Sequence, residues 1–266
     1  MTPLLIFIER RNIIMNKTFL NHDKPLLTVM LQCEAPETVI RRIRNALHCG
    51  AEGFGLQIEA LKTEFHNQDT YKRIFDEMRG KPIYVTNYRY RSNIGKSDDE
   101  LSEELLILAD CGATLCDVMG DMYDKQPDEL AVAEESIQKQ MQLIEQLHEK
   151  GAEVLMSSHV FKFTPAERVL EMAIEQRRRG ADIVKIVTAA NNMEEQIENL
   201  RITNLLKKEL GSPFLFLSSG ENSIHRRLGM KLGNCMELCV YEHDAVSTFA
   251  QPLLSVSKTI RDNLFF

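Results

Sequence analysis

The chain has no block of basic residues, no CxxC pair, no GxGxxG after its first apolar run and no apolar stretch long enough to cross a bilayer. Each absence excludes something. With 32 Lys and Arg against 39 Asp and Glu, the net charge is −7 and spread along the chain, which makes nucleic acid and anionic membrane poor partners. The cysteines (Cys33, Cys49, Cys111, Cys116, Cys235 and Cys239) lack both paired spacing and a histidine at zinc-finger distance. They read as reduced thiols of a cytoplasmic protein, not as a disulfide framework. The missing glycine fingerprint counts against a dinucleotide-binding sheet. Asp117, Asp121 and Asp124 have no histidine near them in sequence, so no metal site is expected. The apolar run LLIFI near the N-terminus is too short to span a bilayer and is followed by charges instead of a small-residue cleavage site. Residues 1–20 read as an N-terminal extension, either disordered or the product of an upstream start codon with Met15 as the true start. Residues 21–266 read as one catalytic domain, since no linker or composition break divides them.

What is present is a rhythm. Short apolar runs at 26–33, 53–61, 82–89, 114–121, 153–160, 182–190, 213–220 and 236–242 alternate with amphipathic stretches. The stretch at 35–50 carries Val39, Ile40, Ile43, Ala46 and Leu47 at helical spacing, and residues 127–149 give the longest helical pattern. Thr164 and Pro165 mark a helix start. Parallel strands need crossover helices, and eight strand–helix units in about 250 residues favour a closed (β/α)₈ barrel over an open sheet. In such a barrel the chemistry sits at the C-terminal ends of the strands.

Lys185 stands out within that frame. It lies in the run GADIVKIVTAA, flanked by Ile183, Val184, Ile186 and Val187. An ammonium group there must be neutral, paired or engaged in chemistry, unless it snorkels from the strand end. A neutral amine is a nucleophile able to form a Schiff base with a ketone. His159 ends the preceding strand, and neighbouring barrel strands lie about 4.8 Å apart, so the two side chains can approach. Taken alone, His159 is also compatible with a satisfied strand-end histidine. Arg177, Arg178 and Arg179 close a helix and read as partners of its dipole.

The strings SSHVFKFTP and GADIVKI resemble the type I 3-dehydroquinate dehydratases in order and spacing: Ser-x-His-x-Phe-x-x-Thr-Pro, then Gly-Ala-Asp-Ile-x-Lys. Weaker matches (TNYR, SGENSIHRR, STFAQ) follow in order from about residue 26 to the end. The resemblance implies a (β/α)₈ barrel, usually a homodimer, that needs no metal or organic cofactor. It would dehydrate 3-dehydroquinate, a small carboxylate, to 3-dehydroshikimate in the shikimate pathway of aromatic amino acid biosynthesis. Carried onto this chain, Lys185 forms the imine, and His159 removes a proton and then protonates the departing hydroxyl. Arg227, with Arg226 as the alternative in register, grips the carboxylate, and Arg89, Ser247 and Gln251 match further binding residues.

The match departs on the second strand, where the family has Glu-x-Arg-x-Asp and this chain has Gly55, Gln57 and Glu59. Gln57 is then the substrate-binding candidate. The family's acidic partner of the histidine is Asn93 here, so a less stabilised imidazolium is expected. On the fourth strand Met119 replaces an acidic residue. These changes leave three readings: a divergent dehydratase, a Schiff-base enzyme acting on another hydroxy-keto acid, or a non-catalytic binding barrel.

Overall fold

The computed structural model describes residues 18–220 and 224–265. Within them, eight strands alternate with eight α-helices. In chain order these are β1 Leu26–Leu31, α1 Pro36–His48, β2 Gly53–Gln57, α2 Gln68–Glu77, β3 Ile83–Thr86, α3 Asp98–Asp110, β4 Leu115–Met119 and α4 Glu134–Glu149, then β5 Glu153–His159, α5 Ala166–Arg178, β6 Ile183–Ala190, α6 Met193–Glu209, β7 Phe214–Gly220, α7 Ile224–Leu232, β8 Met236–Cys239 and α8 Leu254–Leu264. All ladders are parallel and run in the order β7-β6-β5-β4-β3-β2-β1-β8. The expected single-domain (β/α)₈ barrel is what forms.

The strands are buried on both faces, as an all-parallel sheet requires. One face packs into the barrel interior, where Met30, Tyr84, Leu115, Leu155, Ile183, Leu215 and Leu238 meet. The other packs under the helices, around Val29, Phe54, Val85, Val118 and Val154 on one side and Val184, Ile186, Phe214 and Phe216 on the other. Helix starts follow local chemistry. Ser97 and Glu100 form a capping box at α3, and the side chain of Asn192 accepts the Glu195 N–H at α6. Gly151 after α4 and Gly180 after α5 take φ of +81° and +106°, which favours glycine.

Closure is incomplete in one place. Among the described residues no ladder joins β7 to β8. Cys235 N–H donates to the Phe214 carbonyl (3.0 Å), and one step on, the Asn234 side chain takes over. Its Oδ1 accepts from Phe216 N–H (2.9 Å) and its Nδ2 donates to the Phe216 carbonyl (3.0 Å). Gly229 makes room for it, since a Cβ there would stand 2.5 Å from Asn234 Nδ2.

Two sequence expectations shift. The helix expected from residue 127 begins at Glu134. Asp124 captures the N–H groups of Val132 and Ala133 (2.8 Å each), and Tyr123 and Glu129 adopt φ of +70° and +49°. Residues 120–133 are therefore a loop at the C-terminal mouth of the barrel. The extension expected over residues 1–20 lies mostly outside the described residues. Within them, Phe19 is buried among the side chains that fill the barrel, and its N–H donates to Glu153 (3.1 Å).

Candidate active site

Lys185 projects into the barrel from β6, in register with Ser157 of β5. It is 4% exposed, and its ammonium group has three acceptors for its three N–H donors: Tyr88 Oη (2.7 Å), Tyr84 Oη (3.0 Å) and Asp117 Oδ2 (3.1 Å). Asp117 in turn accepts from Tyr84 Oη, Tyr88 Oη (2.5 Å) and Ser157 Oγ (2.5 Å). Burial, reinforced by the Asp117 charge, pushes both phenols well above their ordinary range, so they stay protonated as donors. Of the states open to a buried lysine, the fold provides the paired one. The ion pair tolerates burial because its remaining lone pairs are also bonded.

His159 stands at the end of β5 with its ring edge-on to Tyr88 (centroids 5.2 Å apart). The expectation that it lacks a carboxylate partner is overturned. Asn93 is buried behind Tyr88, donating to Asn87 Oδ1 (2.7 Å) and the Tyr88 carbonyl (3.0 Å). Glu129, from the loop after β4, supplies the carboxylate instead. Its Oε2 lies 2.9 Å from His159 Nδ1 and accepts the His159 N–H at 2.7 Å. With Nδ1–H directed at Glu129, Nε2 is the ring nitrogen left for chemistry.

A cavity of about 260 Å³ above Lys185 is also lined by His159, Gln57 and Gln251, so four of the predicted residues converge. Three others do not line it. Arg89 is committed to Asp98 in a two-pronged pair (2.6 and 2.7 Å) and to Asp121 (2.7 Å), in the wall of an adjoining cleft of about 720 Å³. Ser247 Oγ accepts the Asp244 N–H (2.8 Å) and donates to its carbonyl (3.1 Å); its neighbour Thr248 lines the cavity instead. Arg227 is half-buried on α7, and it is Arg226 that lines the cavity, with Nε donating to the Ser218 carbonyl (2.8 Å). Burial lowers the Arg226 pKa to about 10, which still leaves a cation at neutral pH. Gln251 Oε1 is buried and has no hydrogen-bond partner among the described residues.

The changed second strand has a steric basis. A Cβ at Gly55 would sit 2.2 Å from Met30 Sδ and 3.0 Å from the Tyr84 ring, so methionine and tyrosine fill that space. Glu59 is buried outside the cavity, accepting from Thr86 Oγ1 (3.0 Å) and Tyr88 N–H (3.4 Å), and burial raises it to about 7. Its role is to hold the strand end that carries Tyr88. The aspartates considered as a metal cluster are separated in use: Asp117 serves Lys185, Asp121 serves Arg89, and Asp124 serves backbone N–H groups.

Tyr84, Tyr88, Asp117, Glu129 and Arg226 complete a site that sequence reading saw only in part. The signal for the tyrosines was available: Tyr84 and Thr86 alternate along β3, and Tyr88 continues the same spacing just past its end.

The similarities to known proteins agree with this geometry. The 3-dehydroquinate dehydratase of Methanobrevibacter smithii is 26% identical over 214 residues, 80% of each chain. That of Alkaliphilus oremlandii is 36% identical over 87 residues, and the match spans about a third of that relative's length (34%). Among solved structures, the 3-dehydroquinate dehydratase of Geobacillus kaustophilus superposes with a TM-score of 0.79 at 17% identity, covering 93% of this chain and 95% of that one. The type I enzyme of Clostridium difficile, with covalently modified comenic acid, gives 0.76 at 18% identity, covering 91% and 93%. At these identities the superpositions speak to the fold. The model of the type I 3-dehydroquinase family matches residues 27–258, from the first strand into the last helix, and the chain belongs to that family.

Proposed function

We propose that this chain dehydrates 3-dehydroquinate to 3-dehydroshikimate through a Schiff base on Lys185. The observation that carries the proposal is one cavity holding a buried, hydrogen-bonded lysine, a histidine with a carboxylate behind it, and a buried arginine.

Lys185 Nζ attacks the substrate ketone, and loss of water gives the iminium. Asp117 can take up and return the protons of the amine, while the protonated phenols of Tyr84 and Tyr88 hold it in place. The iminium withdraws electrons from the adjacent C–H, and His159 Nε2 removes that proton. The same proton returns to the departing hydroxyl, which leaves as water. Hydrolysis of the conjugated iminium frees the enone and restores the amine, so the net change is loss of one water. Arg226, rather than the expected Arg227, presents its guanidinium to the carboxylate. Gln57, Thr248 and the unpaired Gln251 Oε1 provide hydrogen bonds to the ring hydroxyls. A homodimer working in the cytoplasm accords with the family resemblance.

Borohydride reduction in the presence of 3-dehydroquinate, followed by mass spectrometry, tests the reading. A reduced adduct on Lys185, absent from Lys185→Ala, together with release of the ultraviolet-absorbing enone, is the expected result. A folded wild-type protein that gives no adduct and no enone rules it out and turns the search to other hydroxy-keto acids.

A further inference from the structure

We infer that Glu129 is the positioning residue for His159, and that this chain has moved that role from the loop after β3, where Asn93 stands, to the loop after β4. The inference rests on the Schiff-base reading above and adds a residue that neither spacing nor motif assigns.

Three observations converge. The first is the double contact: one carboxylate oxygen holds both the His159 backbone N–H (2.7 Å) and the ring Nδ1 (2.9 Å), so strand end and imidazole are fixed by one atom. The second is the conformation. Glu129 has φ +49°, a left-handed backbone that glutamate rarely adopts and that persists only where the surroundings impose it. The third is how it is imposed. The Glu129 carbonyl accepts Ser158 Oγ at 2.6 Å, and Ser158 Oγ is itself held by Gln176 Nε2 at 3.0 Å. A Cβ on Gly120 would come within 2.4 Å of that same carbonyl, so only glycine lets the loop lie this close. Ala131 N–H then ties the loop back to the Gly120 carbonyl (2.9 Å).

Three consecutive residues of β5 thus serve three ends. Ser157 faces Asp117, Ser158 fixes the Glu129 backbone, and His159 takes its carboxylate. Asn93 makes no hydrogen bond with His159: its amide nitrogen donates to Asn87 and Tyr88. In its neutral form, a histidine whose Nδ1–H is directed at a carboxylate carries its lone pair on Nε2, the tautomer and orientation that the proposed proton abstraction asks of His159.

Two variants test this. Glu129→Gly removes the carboxylate at a backbone conformation that glycine adopts freely, so the fold is spared. Glu129→Gln keeps an acceptor but not the charge. Nitrogen-15 spectra of the labelled histidine rings in the ligand-free protein should show the His159 proton on Nδ1 in wild type and mainly on Nε2 in Glu129→Gly, with Glu129→Gln retaining Nδ1. The kcat for 3-dehydroquinate should fall at least about tenfold in Glu129→Gly and less in Glu129→Gln, with KM little changed and the reduced Lys185 adduct still formed. Unchanged kcat and unchanged ring spectra in both variants overturn the inference even when wild type forms the adduct. If wild type forms no adduct, the Schiff-base reading fails, while the ring spectra still decide whether Glu129 orients His159.

Discussion

The two halves of the barrel wall around the cavity are built differently. On the β3–β6 side, Tyr84, Tyr88, Asp117, Ser157 and Lys185 form one closed network in which each polar group has a buried partner. On the β8–β1–β2 side, the interior is Met30, Gly55 and Leu238, Gln57 makes no side-chain hydrogen bond among the described residues, and Gln251 Oε1 is unpaired. The contrast separates making bonds from recognising a molecule. Groups that must meet a reacting atom are fixed beforehand by the protein. In the proposed reaction Gln57 and Gln251 Oε1, left without side-chain partners among the described residues, meet part of the rest of the substrate, and an unpaired buried polar group discriminates most sharply between ligands that do and do not complete it.

By that contrast, the network side should break hardest. Asp117→Ala leaves the buried Lys185 ammonium without its counter-ion, which should cost about 3–5 kcal/mol in urea unfolding. A loss below about 1 kcal/mol would mean that the two phenols alone suffice. Next comes the crowded position on the other side. Gly55→Ala drives a methyl into Met30 Sδ and the Tyr84 ring and should cost about 1–3 kcal/mol. Adding Met30→Ala should give a double variant less destabilised than the sum of the singles; additivity would show that the two positions do not compete for space.

A gentler effect tests the outer face of β8. Burial raises the Glu237 carboxyl from 4.5 to about 8, outweighing the attraction of Arg226. The folded state therefore holds this proton more tightly than the unfolded chain does. The resulting stability is complete below about pH 4.5 and is lost as pH rises through about 8. Glu237→Gln should gain on wild type in denaturant midpoint as pH rises across that window; parallel curves would exclude a buried neutral Glu237. The smallest change is expected at Gln57→Ala. Stability should move by less than about 0.5 kcal/mol, while KM for 3-dehydroquinate rises; a large stability loss would place Gln57 in the network rather than among the recognition groups.

The fold was legible because its signal is repetitive: eight apolar runs separated by amphipathic stretches leave little choice of topology. Lys185 and His159 were legible because they lie on consecutive strands, where sequence order becomes spatial adjacency. Glu129 was hidden for the opposite reason. It reaches His159 across 30 residues from a segment whose apolar spacing reads as the start of a helix, and only the capture of Val132 and Ala133 N–H by Asp124 delays that helix to Glu134. Arg226 and Arg227 differ by about 100° around a helix, so the choice between them depends on where α7 begins, at Ile224. The choice between Ser247 and Thr248 likewise turns on a local clamp, the Asp244 turn, that no periodicity reveals.

The Asn234 seam bears on how copies of the protein avoid one another. A strand edge with free N–H and C=O groups is a template on which another chain can add a strand, and complete closure of a barrel removes that hazard. Among the described residues no ladder closes β7 on β8, and at Phe216 both backbone groups are covered by one carboxamide. A side chain with an acceptor and a donor in one plane imitates the peptide unit that a neighbouring strand would have offered. Asn234, in the space that Gly229 leaves for it, therefore keeps that stretch of edge from being read as unfinished sheet.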